Sequence, residues 1–357
     1  MKITFDRKTN FYATLRKEVE AYFAENKIQK HGDNRLYAKT FILLGSFFAL
    51  WAYLVFATPV WYIALPLAII FGINCAFIGF NIMHDACHES YSKNPKLNYW
   101  LGLTMNLLGS SAYIWKTKHN TVHHTYTNID GVDDDITKVP LFRWCTTQPK
   151  KPAHKFQHIY SFGLYMLSPI FWVFVTDYSK YFSKSVGPVN LPKMSTKEHV
   201  IFWVSKVFYL IFYIAIPIAF LPSLSWFFVG YFVFNAAFGL TMSLVFQLAH
   251  VVENTHFDQI DTKTMELNIE DEWAVHQLAT TSNFATDNKF ISWCLGGLNF
   301  QVEHHLFARV SHVHYPALNK IIKRVCKENN MVYNAYPTMW QAFKSHMRFV
   351  KWLGNAA

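Results

Sequence analysis

The sequence predicts an all-α membrane protein: four transmembrane helices in two hairpins, with a histidine-rich cap on one membrane face. Three observations predict it. The composition is 52% hydrophobic and 18% aromatic against 16% charged over 357 residues, which favours one integrated membrane body over two soluble domains. The charges are segregated, with no Asp, Glu, Lys or Arg between Lys39 and Asp85 or between Lys206 and Glu253. Seven of the 17 histidines fall in three short windows beside apolar stretches: His84-Asp-Ala-Cys-His88, His119-Asn-Thr-Val-His123-His124 and Gln301-Val-Glu-His304-His305.

Each uncharged gap is long enough for two spans of about 20 residues, and each has turn residues near its middle, Thr58-Pro59 and Pro222-Ser223. The expected spans cover about residues 40–58, 60–83, 200–221 and 225–249. A buried pair of soluble helices would normally show a charged face, and these show none. The connecting turns lack Lys and Arg. The N-terminal segment (including Lys2, Arg7, Lys8, Arg16 and Lys30), the central loop and the tail are basic. The positive-inside rule then places both termini and the middle in the cytoplasm.

The net charge of +10 fits apposition to anionic lipid headgroups, an acidic electron carrier or an anionic substrate head, and needs no nucleic acid. The first span begins too far into the chain to be a signal peptide. Cys75, Cys87, Cys145, Cys294 and Cys326 are scattered, so neither a disulfide framework nor a thiolate cluster is expected. Two further uncharged stretches, Leu97 to Trp115 and Phe156 to Thr176, bear on topology. If only one of them spanned, the third histidine window would lie across the membrane from the first two. Both are therefore read as interfacial or partly embedded helices.

The spacing of the windows points to metal. Histidines at i, i+4 stack on one helical face. One such pair arises readily by chance; three clusters do not. Imidazole suits iron, copper and zinc, and seven ligands exceed one tetrahedral zinc site, so two metals are expected. Beside an apolar body, a redox metal suggests iron that activates dioxygen against an unactivated C–H bond of a lipid, chemistry that zinc cannot perform.

In type, order and position around two hairpins, the windows resemble the signature of the integral-membrane fatty acid desaturases, over about residues 40–320. Tyr126-Thr127-Asn128, Gly296-Gly297-Leu298-Asn299 and the run from His304 to Pro316 are similar to the surroundings of that signature. Glutamine opening the third window is similar to the front-end desaturases and their bacterial linoleoyl-CoA-desaturase-like relatives. The resemblance implies a cytoplasmic basic segment at residues 1–39, a desaturase domain at 40–320 and a cytoplasmic tail at 321–357. It implies a four-span fold with a cytoplasmic di-iron cap, and oxygen-dependent removal of two hydrogens from an acyl chain carried on coenzyme A or a lipid.

The implied ligands of the two iron ions are His84, His88, His119, His123, His124, His304 and His305. Family members need one more histidine between the fourth span and the third window; His250 is the first choice and His276 the second, and each could instead be structural. Gln301 departs from an all-histidine set and could ligate, hold a water or brace a ligand. Asp85 and Glu303 adjoin ligands, where a carboxylate can accept the far N–H of an imidazole or simply be solvated. Asp133-Asp134-Asp135 could give similar support or bind a carrier, although a short acidic loop patch is more often only solvated. His312 and His314, at i, i+2, are read as structural. Relatives commonly have proline where this chain has Ala308. Phe77, Phe80, Phe238 and Phe246 could line an acyl tunnel, but read more readily as core or lipid-facing.

Electrons are expected from outside. The first forty residues lack a His-Pro-Gly-Gly haem signature, unlike relatives with a fused cytochrome b5, and nothing resembles Gly-x-Gly-x-x-Gly. A ferredoxin, or cytochrome b5 with its reductase, is implied, with dioxygen and membrane lipids as the other partners. The alternatives are a lipid hydroxylase or ketolase on the same scaffold, a zinc-dependent membrane hydrolase needing about three protein ligands and no electron donor, and a non-enzymatic metal or haem carrier.

Overall fold

The computed structural model describes residues 1–6, 9–136 and 140–356; Arg7 and Lys8 of the basic N-terminal run lie outside the described residues. The elements that position the histidines are α1 (Phe11–Glu25), α2 (Asn34–Ala57), α3 (Trp61–Cys87), α4 (Ala112–Lys116), α5 (Pro152–Ser183), α6 (Thr196–Phe220), α7 (Leu224–His250), α8 (Trp273–Thr280), α9 (Gln301–Leu306), α10 (Tyr315–Glu328) and α11 (Met339–Asn355). Among the described residues, α2, α3, α5, α6 and α7 are long and apolar enough to cross a membrane. That is one more than the four expected.

The two hairpins break where the sequence placed turns. Thr58 takes a left-handed conformation between α2 and α3 (φ 42°), and the Ser223 hydroxyl accepts from Trp226 N–H at 3.3 Å to cap α7. Phe41, Phe48, Phe228 and Phe232 point outward, while Phe47, Phe71, Phe212, Tyr213 and Phe234 form the core between the hairpins. Helix α7 is pressed between α3 and α5 through two glycines. A Cβ on Gly72 would strike the Phe234 carbonyl, and one on Gly239 would strike the Tyr165 carbonyl. Small residues at these crossings let the backbones approach, as membrane helix packing requires.

Helix α5 contains the stretch read as interfacial from the sequence. Both of its ends bond to segments outside the hairpins: Gln157 donates to the Val350 carbonyl at 2.8 Å, and Lys180 pairs with Asp134. Its middle crosses α7, where Ser168 and Ser243 hydroxyls meet at 3.1 Å. The other stretch, Leu97 to Trp115, breaks into short helices, Pro95–Gly102, Thr104–Leu107 and α4. It is pinned by a buried pair in which Lys206 reaches Asp177 at 2.7 Å and the Gly109 carbonyl at 2.8 Å, while Asp177 accepts from Ser111 N–H at 2.8 Å.

The N-terminal segment shares the core of the cap instead of standing apart. Phe11, Leu15, Val19 and Phe23 of α1 pack with Leu318, Ile322 and Val325 of α10, and Lys2–Phe5 pairs in parallel with Glu266–Ile269. The tail is fastened through His346, whose ring bonds the Val251 carbonyl at 2.7 Å and Tyr165 Oη at 3.0 Å. All five cysteines are free and buried, including Cys87.

Candidate metal centre

Four segments deliver histidines to one buried region at the ends of α3 and α7. Before the first window α3 widens into a π turn, Gly79–Met83, and returns to α geometry at His84. The second window is itself a π segment, Thr117–His123, in which His124 N–H bonds the His119 carbonyl, an i→i+5 step. In α winding residue i+5 points well away from residue i; π winding brings both i+4 and i+5 back to one face. The rings of His123 and His124 therefore both lie beside His119, with centroids at 5.3 and 4.7 Å. His304 and His305 come from α9, and His250 is the last residue of α7.

The ligand nitrogens gather into two all-histidine sets, and a third grouping of His119, His123 and Asp135 spans both. One ligand nitrogen from each of His84, His88, His119 and His304 lies within 4.8 Å of the others, and the same holds for His123, His250 and His305. His124 stands between them: its Nε2 is 3.2 Å from His119 Nε2, and its centroid is 4.5 Å from His304 and 4.4 Å from His305. All eight are buried.

The far nitrogens explain why the near ones converge. His123 Nδ1 lies 3.1 Å from Asp133, His305 Nδ1 2.8 Å from Gln277 Oε1, His304 Nδ1 3.1 Å from Tyr315 Oη and His250 Nδ1 3.3 Å from the Thr280 carbonyl. In these same four rings Nε2 is buried without a hydrogen-bond partner, as is His88 Nε2. A buried nitrogen lone pair left over after the other nitrogen is anchored is the arrangement of a metal-binding imidazole. Burial, reinforced by neighbouring rings, drives His88, His119, His124, His304 and His305 well below the ordinary imidazole range, leaving them neutral and able to ligate. His123 goes the other way. Burial lowers it, but the Asp133 and Asp135 carboxylates more than offset that.

Among the described residues, an apolar and a polar space touch the cluster. On the membrane side an apolar cavity of about 230 Å³ runs among α3, α5 and α7 and ends on His84, His119 and Gln301. Phe80, Phe238 and Phe246 line it; Phe77 does not. On the other side a polar cleft of about 640 Å³ reaches His88, His124 and His305.

Comparison with known proteins decides what this arrangement is. A fatty acid desaturase family profile matches residues 59–337. The chain belongs to the fatty acid desaturase family. It is 36% identical to the sn-1 linoleoyl-lipid 6-desaturase of Synechocystis sp., over all of this chain and 99% of that protein. It is 33% identical to the sn-1 linoleoyl-lipid 6-desaturase of Arthrospira platensis, over 98% of this chain and 94% of that one. With the acyl-lipid (8-3)-desaturase of Physcomitrium patens it shares 35% identity, over 97% of this chain and 72% of that one. It is thus an oxidoreductase that introduces a double bond into a fatty acyl chain.

The remaining predicted residues of this desaturase divide. His276 does not join the cluster: its Nε2 meets the Thr127 carbonyl at 2.9 Å and its Nδ1 lies 3.4 Å from Asp258. Gln301 lies at the cavity end facing His250, its amide donating to the Leu298 carbonyl at 2.9 Å. Asp85 and Glu303 are buried, as support would require, but neither touches a cluster ring. Asp85 accepts from Ser311 at 2.7 Å and binds His312 Nδ1 at 3.0 Å. Glu303 accepts from Asn283 at 2.6 Å and Tyr333 at 2.8 Å; burial raises its pKa against those bonds. His312 thus ties the first window to the chain beyond the third, while His314 bonds the His31 carbonyl at 3.0 Å.

The acidic run is not a solvated loop. Asp133 holds His123, and Asp134 and Asp135 pair with Lys118 and Lys180. Among the anchors, Asp133 carried a sequence signal and Tyr315 lay within the quoted run. Gln277 and Thr280 carried none, because only the packing of α8 beside α9 and the end of α7 brings them to the rings.

Proposed function

We propose that this desaturase holds two iron ions, one in each histidine set, and acts on an acyl chain carried by a membrane lipid. The single observation that carries the iron reading is the pattern of anchored Nδ1 and unpartnered buried Nε2 in His123, His250, His304 and His305. On this reading His84, His88, His119 and His304 serve one metal, His123, His250 and His305 the other, and His124 sits between them. Eight imidazoles are too many for one zinc site, which disfavours the hydrolase. Bound iron supplies the capacity to take two hydrogens from neighbouring methylenes, with dioxygen as oxidant.

The chain's own residues do the rest. The apolar cavity orients the acyl chain and excludes water, and its end at His84, His119 and Gln301 sets which carbons reach the metals. Trp115 stacks on His119 with centroids 4.4 Å apart and closes one wall. Asp133, Gln277 and the Thr280 carbonyl accept from Nδ1 and hold the proton there in His123, His305 and His250, and the Tyr315 hydroxyl orients His304. A lipid-linked substrate is supported by the names of the full-length relatives, sn-1 linoleoyl-lipid 6-desaturases, and the same names favour a bond introduced toward the carboxyl end.

Four crossings, by α2, α3, α6 and α7, with α5 lying along the membrane edge, fit the bonds that both ends of α5 make outside the hairpins. The termini and the metal centre are then cytoplasmic, and electrons come from a ferredoxin or from cytochrome b5 with its reductase. Expression in a host with these donors, followed by mass-spectrometric profiling of lipid acyl chains, tests the reading. A new double bond that disappears on His123→Ala is expected; an unchanged profile with iron and donor present would overturn it.

A further inference from the structure

The cavity and the cleft reach the histidine cluster from opposite sides and share no lining residue. The apolar cavity ends on His84, His119 and Gln301; the polar cleft has His88, His124 and His305 in its floor. Its walls come from α1, α8 and the segment after α9. Trp273 Nε1 donates to the His124 carbonyl at 3.3 Å and packs edge-on against Tyr12 at 5.4 Å. The rim carries four cations, Arg16, Lys30, Lys116 and Arg309, against two carboxylates, Glu20 and Glu89. Arg16 faces Glu20 at 2.8 Å and Arg309 faces Glu89 at 4.0 Å. Lys30 and Lys116 tip the rim positive.

From this we infer that the cleft is the docking site of an acidic one-electron carrier protein, which passes electrons to the metals through His88, His124 and His305, the buried rings that line its floor. The inference rests on the iron-desaturase reading. Each turnover reduces one dioxygen to two waters while one C–C single bond becomes double. The acyl chain gives up two hydrogens with their electrons, and two more electrons and two protons must be supplied. Two reduced carriers therefore visit in succession, each leaving oxidised by one electron, and the protons come from water. The apolar cavity suits neither visitor, whereas the cleft combines a water-facing opening, a positive rim and direct contact with the rings. Complementary rim charge governs encounter more than chemistry.

The test uses the full chain in lipid nanodiscs with a plant-type [2Fe–2S] ferredoxin as probe. Binding of oxidised ferredoxin is measured without turnover, and turnover is measured with reduced ferredoxin and its reductase. Lys30 is exposed and Arg309 largely so, so the double variant Lys30→Glu/Arg309→Glu leaves the packing intact. It is expected to weaken ferredoxin binding and raise the ferredoxin KM by about tenfold at low salt, with the gap closing as salt rises. The acyl-lipid KM and the kcat at saturating ferredoxin stay within about twofold. Lys30→Arg/Arg309→Lys restores both ferredoxin readouts. Unchanged ferredoxin binding would overturn the inference, and a raised acyl-lipid KM in its place would assign the rim to the substrate's headgroup. Because binding needs no turnover, it decides the cleft even if the unmodified protein forms no double bond, an outcome that would count against the desaturase reading alone.

Discussion

The two histidine sets are held by different physics. In the set His123, His250 and His305, every ring has its second nitrogen tied to a protein acceptor: Asp133, the Thr280 carbonyl and Gln277. In the set His84, His88, His119 and His304, only His304 has such an anchor, Tyr315. Among the described residues, the rings of His84, His88 and His119 make no hydrogen bond outside the cluster, and rest instead on Trp115, at 5.7, 6.1 and 4.4 Å. Hydrogen bonds fix a tautomer and a direction, whereas packing fixes only a volume. The His123 set is therefore pre-aimed, whereas the His84 set, His304 apart, is held by packing alone and would be aimed only by a bound metal.

Removing a ring breaks the comparison outright. His88→Ala or His305→Ala should each cut desaturation by more than about 100-fold, the upper end for losing a supporting partner alone, with product analysis as the readout. Removing supports separates the sets. Gln277→Leu should weaken metal binding about 10–100-fold by freeing His305, whereas Trp115→Leu should cost less than that. Titration with buffered iron measures both, and equal losses would erase the distinction. Gly239→Leu should destabilise the fold by about 3 kcal/mol, the upper end for overpacking, by forcing α7 off α5. Because His250 ends α7, the anchored set should lose metal first as thermal unfolding is followed. The smallest effect is expected from His276→Ala, which orphans the Thr127 carbonyl at a cost of about 1–3 kcal/mol and leaves the iron content unchanged.

The sequence made much of this legible, for reasons that can be traced. Long uncharged gaps and the histidine spacing are local signals, so the hairpins at Thr58 and Ser223 and the seven window histidines could be read directly. The choice between His250 and His276 could not, since both are single histidines and only the direction in which α7 and α8 point decides between them. Asp85 and Glu303 looked like anchors because they adjoin ligands in sequence. On a helix an adjacent residue faces away from its neighbour, and both carboxylates bond elsewhere. The π segment at Thr117–His123 was also hidden, because i, i+4 spacing suits α and π winding alike; the doubled His123-His124 is its only sequence trace. Helix α5 stayed ambiguous because apolarity and length do not record where a helix's ends are bonded.

The central claim is that the two sets of imidazoles hold two irons. Metal analysis of the purified full chain, beside variants that each remove one set, tests it most directly. The account predicts about two irons per chain, falling to about one in both His84→Ala/His88→Ala and His250→Ala/His305→Ala. One tightly held zinc per chain, or an iron content that neither double variant alters, would contradict it.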